Sequence, residues 1–368
     1  MTLDLIILIF CVTSLLIQLY YNLFFFRKLI LFKDVKSNFQ PSVSVIICAK
    51  DEYENLENYL ISILNQDYPN FEVIVVNDQS IDNSKFLLEN LGKSFNNLVV
   101  VNIDDNVNHS IGKKFALTIG IKTAKHEHLL LSDADCFVTS KHWISSMVHN
   151  FKLSDIVLGY GNYQKQPGFL NMMIRFDSYI VALQYLSFSL KSLTYMGVGR
   201  NLAYKKSLFF NNKGFANHLH IPSGDDDLFI SEVAKGKVVS IEMSKNSHTF
   251  SIAEKNWKKW IVQKKRHFST SPLYKKNIKF LLALFPLSQF IFFCSLTLLI
   301  LFNSNIIYWL PIILIKLFMS YLVNYILMKR LNCFDLIIFQ PFLEIFHLCF
   351  HGLLFIFSSN QTPKRWST

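Results

Sequence analysis

The chain carries apolar segments near both ends that are too long and too poor in charge for the surface of a water-soluble domain. Residues 5–26 contain no charged side chain over 22 positions, and such a helix extends about 33 Å, enough to cross a bilayer. Residues 280–315 are uncharged over 36 positions and are interrupted by Asn303-Ser304-Asn305, which predicts two helices joined by a short turn. We therefore expect a domain held between membrane segments.

The first apolar segment is interpreted as an anchor. Asp4 is the only charged residue before it, and no small-residue cleavage site follows it, whereas a secretory signal has a basic start and such a site. The chain is 51% hydrophobic with a mean hydropathy of +0.28, which is more apolar than an ordinary soluble protein. We assign residues 1–32 to a transmembrane anchor and residues 278–358 to transmembrane or interfacial helices, three or four spans in all.

Basic residues mark one side of the predicted membrane. They lie directly after the first apolar segment and directly before the second: Arg27, Lys28, Lys33, Lys36, Lys275, Lys276 and Lys279. Because basic flanks stay on the cytoplasmic side, the stretch between them is predicted to be cytoplasmic, at a bacterial-type cell membrane. The net charge of +11 is concentrated at these flanks and in residues 255–266, which favours an anionic lipid surface over nucleic acid. We expect a membrane partner and no nucleic-acid partner.

The last apolar segments contain polar side chains whose role stays open at this point. Residues 306–328 are long enough to span, with Lys316 near the middle, where a charge usually faces protein or water. It either lines a route for a lipid acceptor or snorkels to the interface. Residues 334–357 are either a fourth span or an interfacial helix. They carry a polar stripe with helical spacing, made of Gln340, Glu344, His347 and His351.

The middle of the chain alternates strand and helix patterns. Residues 43–48, 71–76, 98–103 and 128–131 read as strands, and residues 55–64 and 114–124 read as helices. This alternation predicts an α/β fold with a mostly parallel sheet, in which ligands bind beyond the carboxyl ends of the strands.

Two groups of acids stand out against this pattern. Asp133 and Asp135 follow a predicted strand, and Asp225-Asp226-Asp227 follow Gly224. Because neighbouring carboxylates repel one another, such groups usually serve a divalent cation or a proton transfer. Each group also has a simpler explanation, a polar loop for the first and a cap of the next helix for the second.

The order of several motifs makes a family resemblance specific. Over roughly 230 residues the chain contains Ala49-Lys50-Asp51-Glu52, Asp78-Gln79-Ser80, Gly112-Lys113-Lys114, Asp133-Ala134-Asp135, Gly199-Arg200-Asn201, Ser223 to Leu228 and Gln263-Lys264-Lys265-Arg266-His267. This series resembles the membrane-anchored, inverting family 2 glycosyltransferases. The last motif is similar to the family's QxxRW, with His267 where Trp is usual.

The resemblance implies a nucleotide-sugar-binding domain of the GT-A type over residues 40–270, flanked by transmembrane helices at both ends. Residues 40–136 would form the nucleotide-sugar half. Residues 137–270 would form the acceptor half, with an amphipathic helix near 169–193 at the membrane surface. The residues implied to bind the nucleotide sugar are Ala49, Glu52, Asp78, Lys113, Asp133 and Asp135. Of these, Asp133 and Asp135 would hold Mg²⁺ or Mn²⁺ against the donor diphosphate.

On the acceptor side the resemblance makes Asp225 the catalytic base of an inverting transfer. Gly224 stands where the family usually has Glu, so the register could shift the base to Asp226. Gln263 and Arg266 resemble the pair that engages the diphosphate and the acceptor site. The remaining acceptor-side residues implied are Gly199, Asn201, Asp227 and His267.

Taken together, the sequence predicts a membrane-bound glycosyltransferase that moves a sugar, expected to be UDP-linked, to a lipid, lipid-linked or glycan acceptor at the cytoplasmic face. A processive polysaccharide synthase of the same family is the first alternative. A GT-A-like nucleotidyltransferase, which would release pyrophosphate, is the second, and a catalytically silent scaffold that only binds nucleotide is the third.

Overall fold

A seven-stranded sheet forms the centre of the middle region. The structure is a computed structural model that describes residues 3–34, 37–103, 112–302 and 305–357. The strands of this sheet are β1 Val43–Ala49, β2 Phe71–Asp78, β3 Leu98–Ile103, β4 His128–Asp133, β6 Ile156–Leu158, β8 Leu202–Lys205 and β9 Val239–Ile241. Their order across the sheet is β3-β2-β1-β4-β8-β6-β9. Only β8 runs antiparallel to its neighbours. The predicted α/β class with a mostly parallel sheet is confirmed.

A second, three-stranded sheet lies beside it. It consists of β5 Cys136–Val138, β10 Thr249–Ser251 and β7 Gly161–Tyr163. Because β4 ends at Asp133 and β5 begins directly after Asp135, the chain between the two acids is held at the junction of the two sheets.

Thirteen α-helices and one π-helix surround the sheets among the described residues. They are α1 Leu3–Tyr20, a π-helix Tyr21–Phe26, α2 Arg27–Leu31, α3 Tyr53–Leu64, α4 Ser84–Ser94, α5 Lys113–Thr123, α6 Trp143–Val148, α7 Phe169–Ser189, α8 Lys206–Asn211, α9 Asp227–Val233, α10 Trp257–Phe268, α11 Lys276–Leu301, α12 Ile306–Arg330 and α13 Gln340–Phe357. Shorter 3₁₀ helices connect them at His149–Lys152, Gly199–Asn201, Ala216–His218, Lys245–Ser247, Ser271–Leu273 and Phe334–Phe339.

The core lies on both faces of the main sheet because its central strands are mostly apolar and are buried along nearly their whole length. All seven residues of β1 are buried, as expected for a strand of a parallel sheet that is covered on both sides. One face packs against α3 and α6, and the other against α5 and α7. Helix α5 approaches so closely that a Cβ on Gly120 would lie 2.7 Å from Ile46 Cγ2. The predicted strands and helices are found here, with ends shifted by one or two residues.

Four helical segments are long and apolar enough to be candidates for crossing a membrane. They are Leu3–Leu31, Lys276–Leu301, Ile306–Arg330 and Phe334–Ile356. The first is continuous from α1 to α2 through the π-helix. Of the predicted flanking features, Lys36 and the turn at Asn303-Ser304 lie outside the described residues.

Helix α7 differs from the prediction of an amphipathic surface helix. It is present, but 15 of its 21 residues are buried, because it carries aromatic or aliphatic side chains on every face. Phe188 packs against Phe25 of the first candidate span at a ring distance of 4.5 Å. Arg175 forms a two-point ion pair with Asp335 at 2.6 and 2.8 Å. Helix α7 thus lies between the sheet domain and the candidate spans.

The charge in the third candidate span is neutralised inside the helix bundle. Lys316 is 6% exposed, and its Nζ lies 2.8 Å from Glu344 Oε1. Gln289 and Gln340 donate to the same carboxylate at 2.6 and 2.9 Å. The prediction that Lys316 snorkels is therefore wrong. A cavity of about 50 Å³ lies beside the pair, which is room for a few water molecules and not for a lipid.

Candidate active site at the carboxyl ends of the parallel strands

Three predicted site residues meet at one edge of the main sheet. The strand register pairs Cys48 with Asp133 and Ala49 with Asn77, so the carboxyl ends of β1, β2 and β4 lie side by side. Asp78, the last residue of β2, is fully buried at this edge. Ala49 is also fully buried and its side chain belongs to the apolar core. Only the backbone of Ala49 is therefore suited to face a ligand.

The loops that follow β1 and β2 are tied to each other. The Asp51 N–H donates to Ser80 Oγ at 2.9 Å, and the Ile81 N–H donates to Asp51 Oδ1 at 2.8 Å. Asp51 and Gln79 both have left-handed backbone angles, with φ of 56° and 54°. Such angles are uncommon in residues other than glycine and concentrate at binding sites. The two loops form one rigid wall of the crevice.

The acids after β4 form the second wall. Burial raises the pKa of Asp135, and the neighbouring charge of Asp133 raises it further. Burial also raises the pKa of Glu52, to which Asp135 and Asp133 add, although the Asn55 amide donates to it at 2.6 Å. These three carboxylates repel one another in a poorly hydrated place. Carboxylate oxygens are the ligands that Mg²⁺ and Mn²⁺ prefer, and a cation would relieve the repulsion, so Asp133 and Asp135 fit the predicted metal.

Lys113, the first residue of α5, connects the two groups of acids. Its Nζ donates to Asp133 Oδ1 at 2.7 Å and lies 3.2 Å from Asp225 Oδ2. Burial alone would lower the pKa of Lys113, but these two carboxylates outweigh it and hold the pKa well above its usual value. Lys113 therefore remains charged, and it joins the predicted nucleotide-sugar half to the predicted acceptor half.

Gly224 explains how the second group of acids is presented. Its φ is 97°, and a Cβ at this position would lie 2.6 Å from Leu228 Cδ1. The Glu that the family usually has here would be both strained and blocked, so the loop needs glycine. The turn directs Asp225 toward Lys113. Burial would raise the pKa of Asp225, but Lys113 keeps it below the usual value of a carboxyl group.

Asp226 has a different environment from Asp225. It caps α9 by accepting the Asp227 N–H at 2.8 Å, and it accepts the Gly199 N–H at the same distance. Burial and the charges of Asp225 and Asp227 raise the pKa of Asp226 to about 7. The predicted helix cap is therefore present, but it involves Asp226. The Gly199 loop lies against this cap, so Gly199 belongs to the site through its backbone.

Two predicted acceptor-side residues are hydrogen-bonded within the fold. Asp227 is 7% exposed, and its Oδ2 accepts hydrogen bonds from the hydroxyls of Thr270 and Tyr274. Asn201 is fully buried and donates to two backbone carbonyls at 2.7 and 2.9 Å, while its Oδ1 accepts from Trp143 Nε1 at 3.1 Å. The polar atoms of both side chains are therefore occupied within the fold, and their acceptor-side role stays a prediction.

Arg200, between Gly199 and Asn201, was not predicted as a site residue. Its guanidinium lies 4.4 Å from the centre of the Tyr163 ring and donates to the Gly161 carbonyl at 3.1 Å. Its Nη1 is buried without a hydrogen-bond partner among the described residues. Burial opposes its charge, but Tyr163, Asp135 and neighbouring acidic groups raise its pKa above the usual value. The only sequence signal is its position between the two predicted residues Gly199 and Asn201.

The Gln263 and Arg266 motif lies on α10, and the two side chains are one turn apart and partly exposed. Within the described part of the chain, neither side chain makes a hydrogen bond. Arg266 lines a cavity of about 260 Å³ together with Ser223, the residue at the start of the second acid group. His267 is exposed. The structure thus brings Arg266, but not Gln263, to the loop that carries Asp225.

Comparison with known proteins agrees with this geometry. Residues 44–210, from β1 to α8, match the model of the family Glycosyl transferase family 2. This match covers 167 of the 368 residues, so it concerns the sheet domain and not the flanking helices. The matched residues include Asp133, Asp135 and Arg200, whereas Asp225 and the motif on α10 lie beyond them.

Two relatives of this domain share part of its sequence. An uncharacterized glycosyltransferase of Haemophilus influenzae is 28% identical over 145 residues, which are 39% of this chain and 42% of the relative. A poly-beta-1,6-N-acetyl-D-glucosamine synthase of Staphylococcus epidermidis is 34% identical over 115 residues, 31% of this chain and 26% of the relative. The chain therefore matches less than half the length of each.

A solved structure shares the fold over nearly the whole chain. A mannosyltransferase from Pyrobaculum calidifontis, in complex with GDP-Man and Mn²⁺, superposes with a TM-score of 0.60 at 18% identity. The match covers 96% of this chain and 99% of the archaeal protein. At this identity the likeness concerns the fold, including the helices outside residues 44–210.

Proposed function

We propose that this chain is a membrane-anchored glycosyltransferase. It transfers a sugar from a nucleoside-diphosphate donor, with inversion, to a lipid or lipid-linked acceptor at the cytoplasmic membrane face. The observation that carries the proposal is Lys113, which joins Asp133 and Asp225 at the strand edge of a family 2 domain. This arrangement supports the proposed roles of Asp133 as a donor-side acid, Lys113 as a phosphate-binding cation and Asp225 as the base.

The donor would enter between the two walls of the crevice. Asp78 and the loop that contains Glu52 would hold the nucleoside, and Lys113 and Arg200 would face its phosphates. Asp133 and Asp135 would hold Mg²⁺ or Mn²⁺, which when bound neutralises charge on the departing diphosphate. The complex of the archaeal neighbour with GDP-Man and Mn²⁺ supports a divalent cation. The Staphylococcus epidermidis relative is named for N-acetylglucosamine, which supports a UDP-linked donor.

Asp225 is proposed to act as the base. An acceptor hydroxyl gives its proton to the Asp225 carboxylate while its oxygen attacks the anomeric carbon, and the bond from that carbon to the diphosphate breaks. Lys113 Nζ lies 3.2 Å from this carboxylate. Donor phosphates would compete with Asp225 for Lys113, and losing this cation would raise the pKa of Asp225 toward that of a more effective base.

The acceptor is proposed to reach Asp225 through the cavity beside Arg266. This cavity adjoins the loop that leads to the acid group, and α10 is followed directly by the candidate span Lys276–Leu301. A lipid-linked acceptor therefore has a short path from the membrane to the base. The basic flanks of the candidate spans support the cytoplasmic placement.

A processive polysaccharide synthase remains the second candidate. The observation that favours it is the sequence similarity to the poly-beta-1,6-N-acetyl-D-glucosamine synthase. The two reactions differ in product length, so a single added sugar on a lipid acceptor supports the first proposal and a polymer supports the second.

The proposal is tested with the full chain purified in detergent with native lipid. Nucleoside diphosphate release is measured from a panel of nucleotide sugars with Mg²⁺, with Mn²⁺ and with chelator. We expect metal-dependent release from one donor, and a loss of about 10²–10⁴-fold in Asp225→Asn. Asp135→Ala should lose activity as well.

Asp67→Asn is the matched control, because Asp67 is exposed at the opposite, amino-terminal end of β2. It should keep wild-type activity. Release of pyrophosphate instead of a nucleoside diphosphate would identify a nucleotidyltransferase. Nucleotide binding without release from any donor, in the presence of membrane lipid extracts, would refute the transferase proposal.

A further inference from the structure

A second group of titratable side chains lies away from the crevice, where α7, α10 and α13 meet. Asp177 of α7 is 6% exposed. His347 and His351 of α13 are four residues apart, so both project from one face of that helix. Their Nε2 atoms lie 3.1 and 2.8 Å from the same atom, Asp177 Oδ1. The centres of the two imidazole rings are 4.0 Å apart, and the ring planes are tilted by 33°.

Hydrogen bonding within the protein accounts for only one of these imidazoles. His347 Nε2 has hydrogen-bonding geometry toward Asp177 Oδ1. His351 Nε2 is buried and, among the described residues, has no hydrogen-bond partner, although it points at the same oxygen. A buried polar atom without a hydrogen bond is costly, so each such atom needs an explanation.

A metal ion would explain it. The ligand atoms of a tetrahedral zinc site lie about 2.0–2.1 Å from the metal and hence about 3.3 Å from one another. The observed 2.8 and 3.1 Å separations need side-chain shifts of only a few tenths of an ångström. Two histidines at positions i and i+4 of a helix are also the spacing that zinc enzymes use. The three side chains together could supply one oxygen and two nitrogen ligands.

Lys264 of α10 completes the arrangement from the other side of the carboxylate. Its Nζ lies 2.8 Å from Asp177 Oδ2, the oxygen that does not face the histidines. A lysine in this place orients the carboxylate and leaves Oδ1 for a metal, as outer-shell partners commonly do. The two histidine side chains keep 17% and 20% of their surface exposed, so water or an anion can take the fourth position.

We infer that Asp177, His347 and His351 form a zinc-binding site that fastens α13 to α7. The site is separate from the proposed cation at Asp133 and Asp135. Because Lys264 stands between Gln263 and Arg266 on α10, the bound zinc would also hold the helix of that motif against the last candidate span. The site thereby connects the catalytic domain to the membrane segment Phe334–Ile356.

The inference is tested by metal analysis of the full chain in detergent. The protein is stripped with chelator, incubated with Zn²⁺, desalted and analysed by mass spectrometry of the metal. We expect about one zinc per chain in the wild type and less than about a tenth of that in His347→Gln/His351→Gln. Bound Co²⁺ should show the strong visible absorption of a tetrahedral site in the wild type only.

Two controls separate this site from other effects. Asp135→Asn should keep its zinc, since it alters only the proposed catalytic cation, and His142→Gln should keep it because His142 is exposed and lies far from Asp177 along the chain. His351→Gln alone, a milder change, should lower the zinc affinity at least about tenfold while circular dichroism shows an unchanged fold. Equal zinc content in the wild type and the double variant, or a wild type that retains none, would overturn the inference.

Discussion

Replacing Lys113 with methionine should move the acid limb of the pH–rate profile upward. In the wild type the Lys113 ammonium lies 3.2 Å from Asp225 Oδ2 and keeps the pKa of this carboxyl below its usual value. A base with a low pKa stays ionised when the pH falls, so wild-type activity should persist into acid. Without the cation, burial raises the pKa of Asp225, and the base takes up its proton at a higher pH.

The distance sets the size of the effect. Two unit charges 3.2 Å apart interact by about 5 kcal/mol at an effective dielectric constant of 20, which is an upper bound near four pH units. Relaxation and water reduce this, and an opposite charge at such a distance typically shifts a carboxyl pKa by about 1–3 units. We therefore expect the acid limb of Lys113→Met to lie about 1–3 pH units above that of the wild type. The maximal rate should also fall by about 10²-fold, because a cation facing the diphosphate is lost.

The assay is kcat/KM for nucleoside diphosphate release, measured at donor concentrations well below KM from about pH 4 to 9, because kcat/KM reports the free enzyme in which Lys113 pairs with Asp225. Folding is checked at each pH by circular dichroism. Lys113→Arg keeps the charge and should have an acid limb close to that of the wild type. Lys125→Met is a control for loss of a surface lysine, since the Lys125 side chain is 74% exposed. An unchanged acid limb in Lys113→Met, together with a reduced rate, would refute Asp225 as the base that this cation controls.

Four further changes have defined outcomes. Asp227→Asn removes the charged acceptor of two buried hydroxyls and should lower the unfolding free energy by about 1–3 kcal/mol, which thermal melting measures. An unchanged melting temperature together with lost turnover would instead indicate that Asp227 contacts the acceptor. Lys316→Met leaves the Glu344 charge buried alone and should lower the unfolding free energy by about 3–5 kcal/mol. The double variant Lys316→Met/Glu344→Met should recover most of this stability. If the two substitutions lower the unfolding free energy additively, the pairing is contradicted. The pKa of Asp226 is raised to about 7, so the folded state holds this proton more tightly than the unfolded state. Wild-type stability should therefore fall as the pH rises from about 4 to 7. Melting curves at several pH values should show this slope for the wild type and not for Asp226→Asn. Chelator should stop turnover, and Asp135→Ala should need at least about tenfold more Mn²⁺ than the wild type for half-maximal recovery. If both proteins need the same Mn²⁺ concentration, Asp135 does not bind the cation.

Local pattern in the sequence was sufficient for several parts of this protein. The charge-free segments predicted the helices that are candidates to span a membrane, since segment length and apolar composition are properties of the chain alone. The β-branched runs and helical spacing predicted the parallel sheet, and with it the edge at which Asp78 and Asp133 meet. Strand direction in a parallel sheet forces these ends together, so no knowledge of side-chain packing was needed.

Motif position was not sufficient to assign individual side chains. Asn201 and Asp227 stand in motifs that resemble the acceptor side, yet both are buried and hydrogen-bonded within the fold. Arg200, placed between two predicted residues, instead has a buried nitrogen without a hydrogen-bond partner among the described residues. A motif fixes where the backbone passes, but the direction of each side chain depends on packing from elements far along the chain.

The sequence by itself therefore determined the apolar helices that are candidates to span a membrane, the α/β fold and the strand edge, because each follows from local composition or periodicity. Only the tertiary structure decided the contacts that join distant segments. Lys113 meets Asp225 across 112 residues, and Asp177 meets His347 and His351 across 170 and 174. Helix α7 carried apolar residues on every face, and only the packed bundle made it an interior helix. Such contacts arise when burial selects one arrangement of the whole chain, and no local pattern encodes that choice.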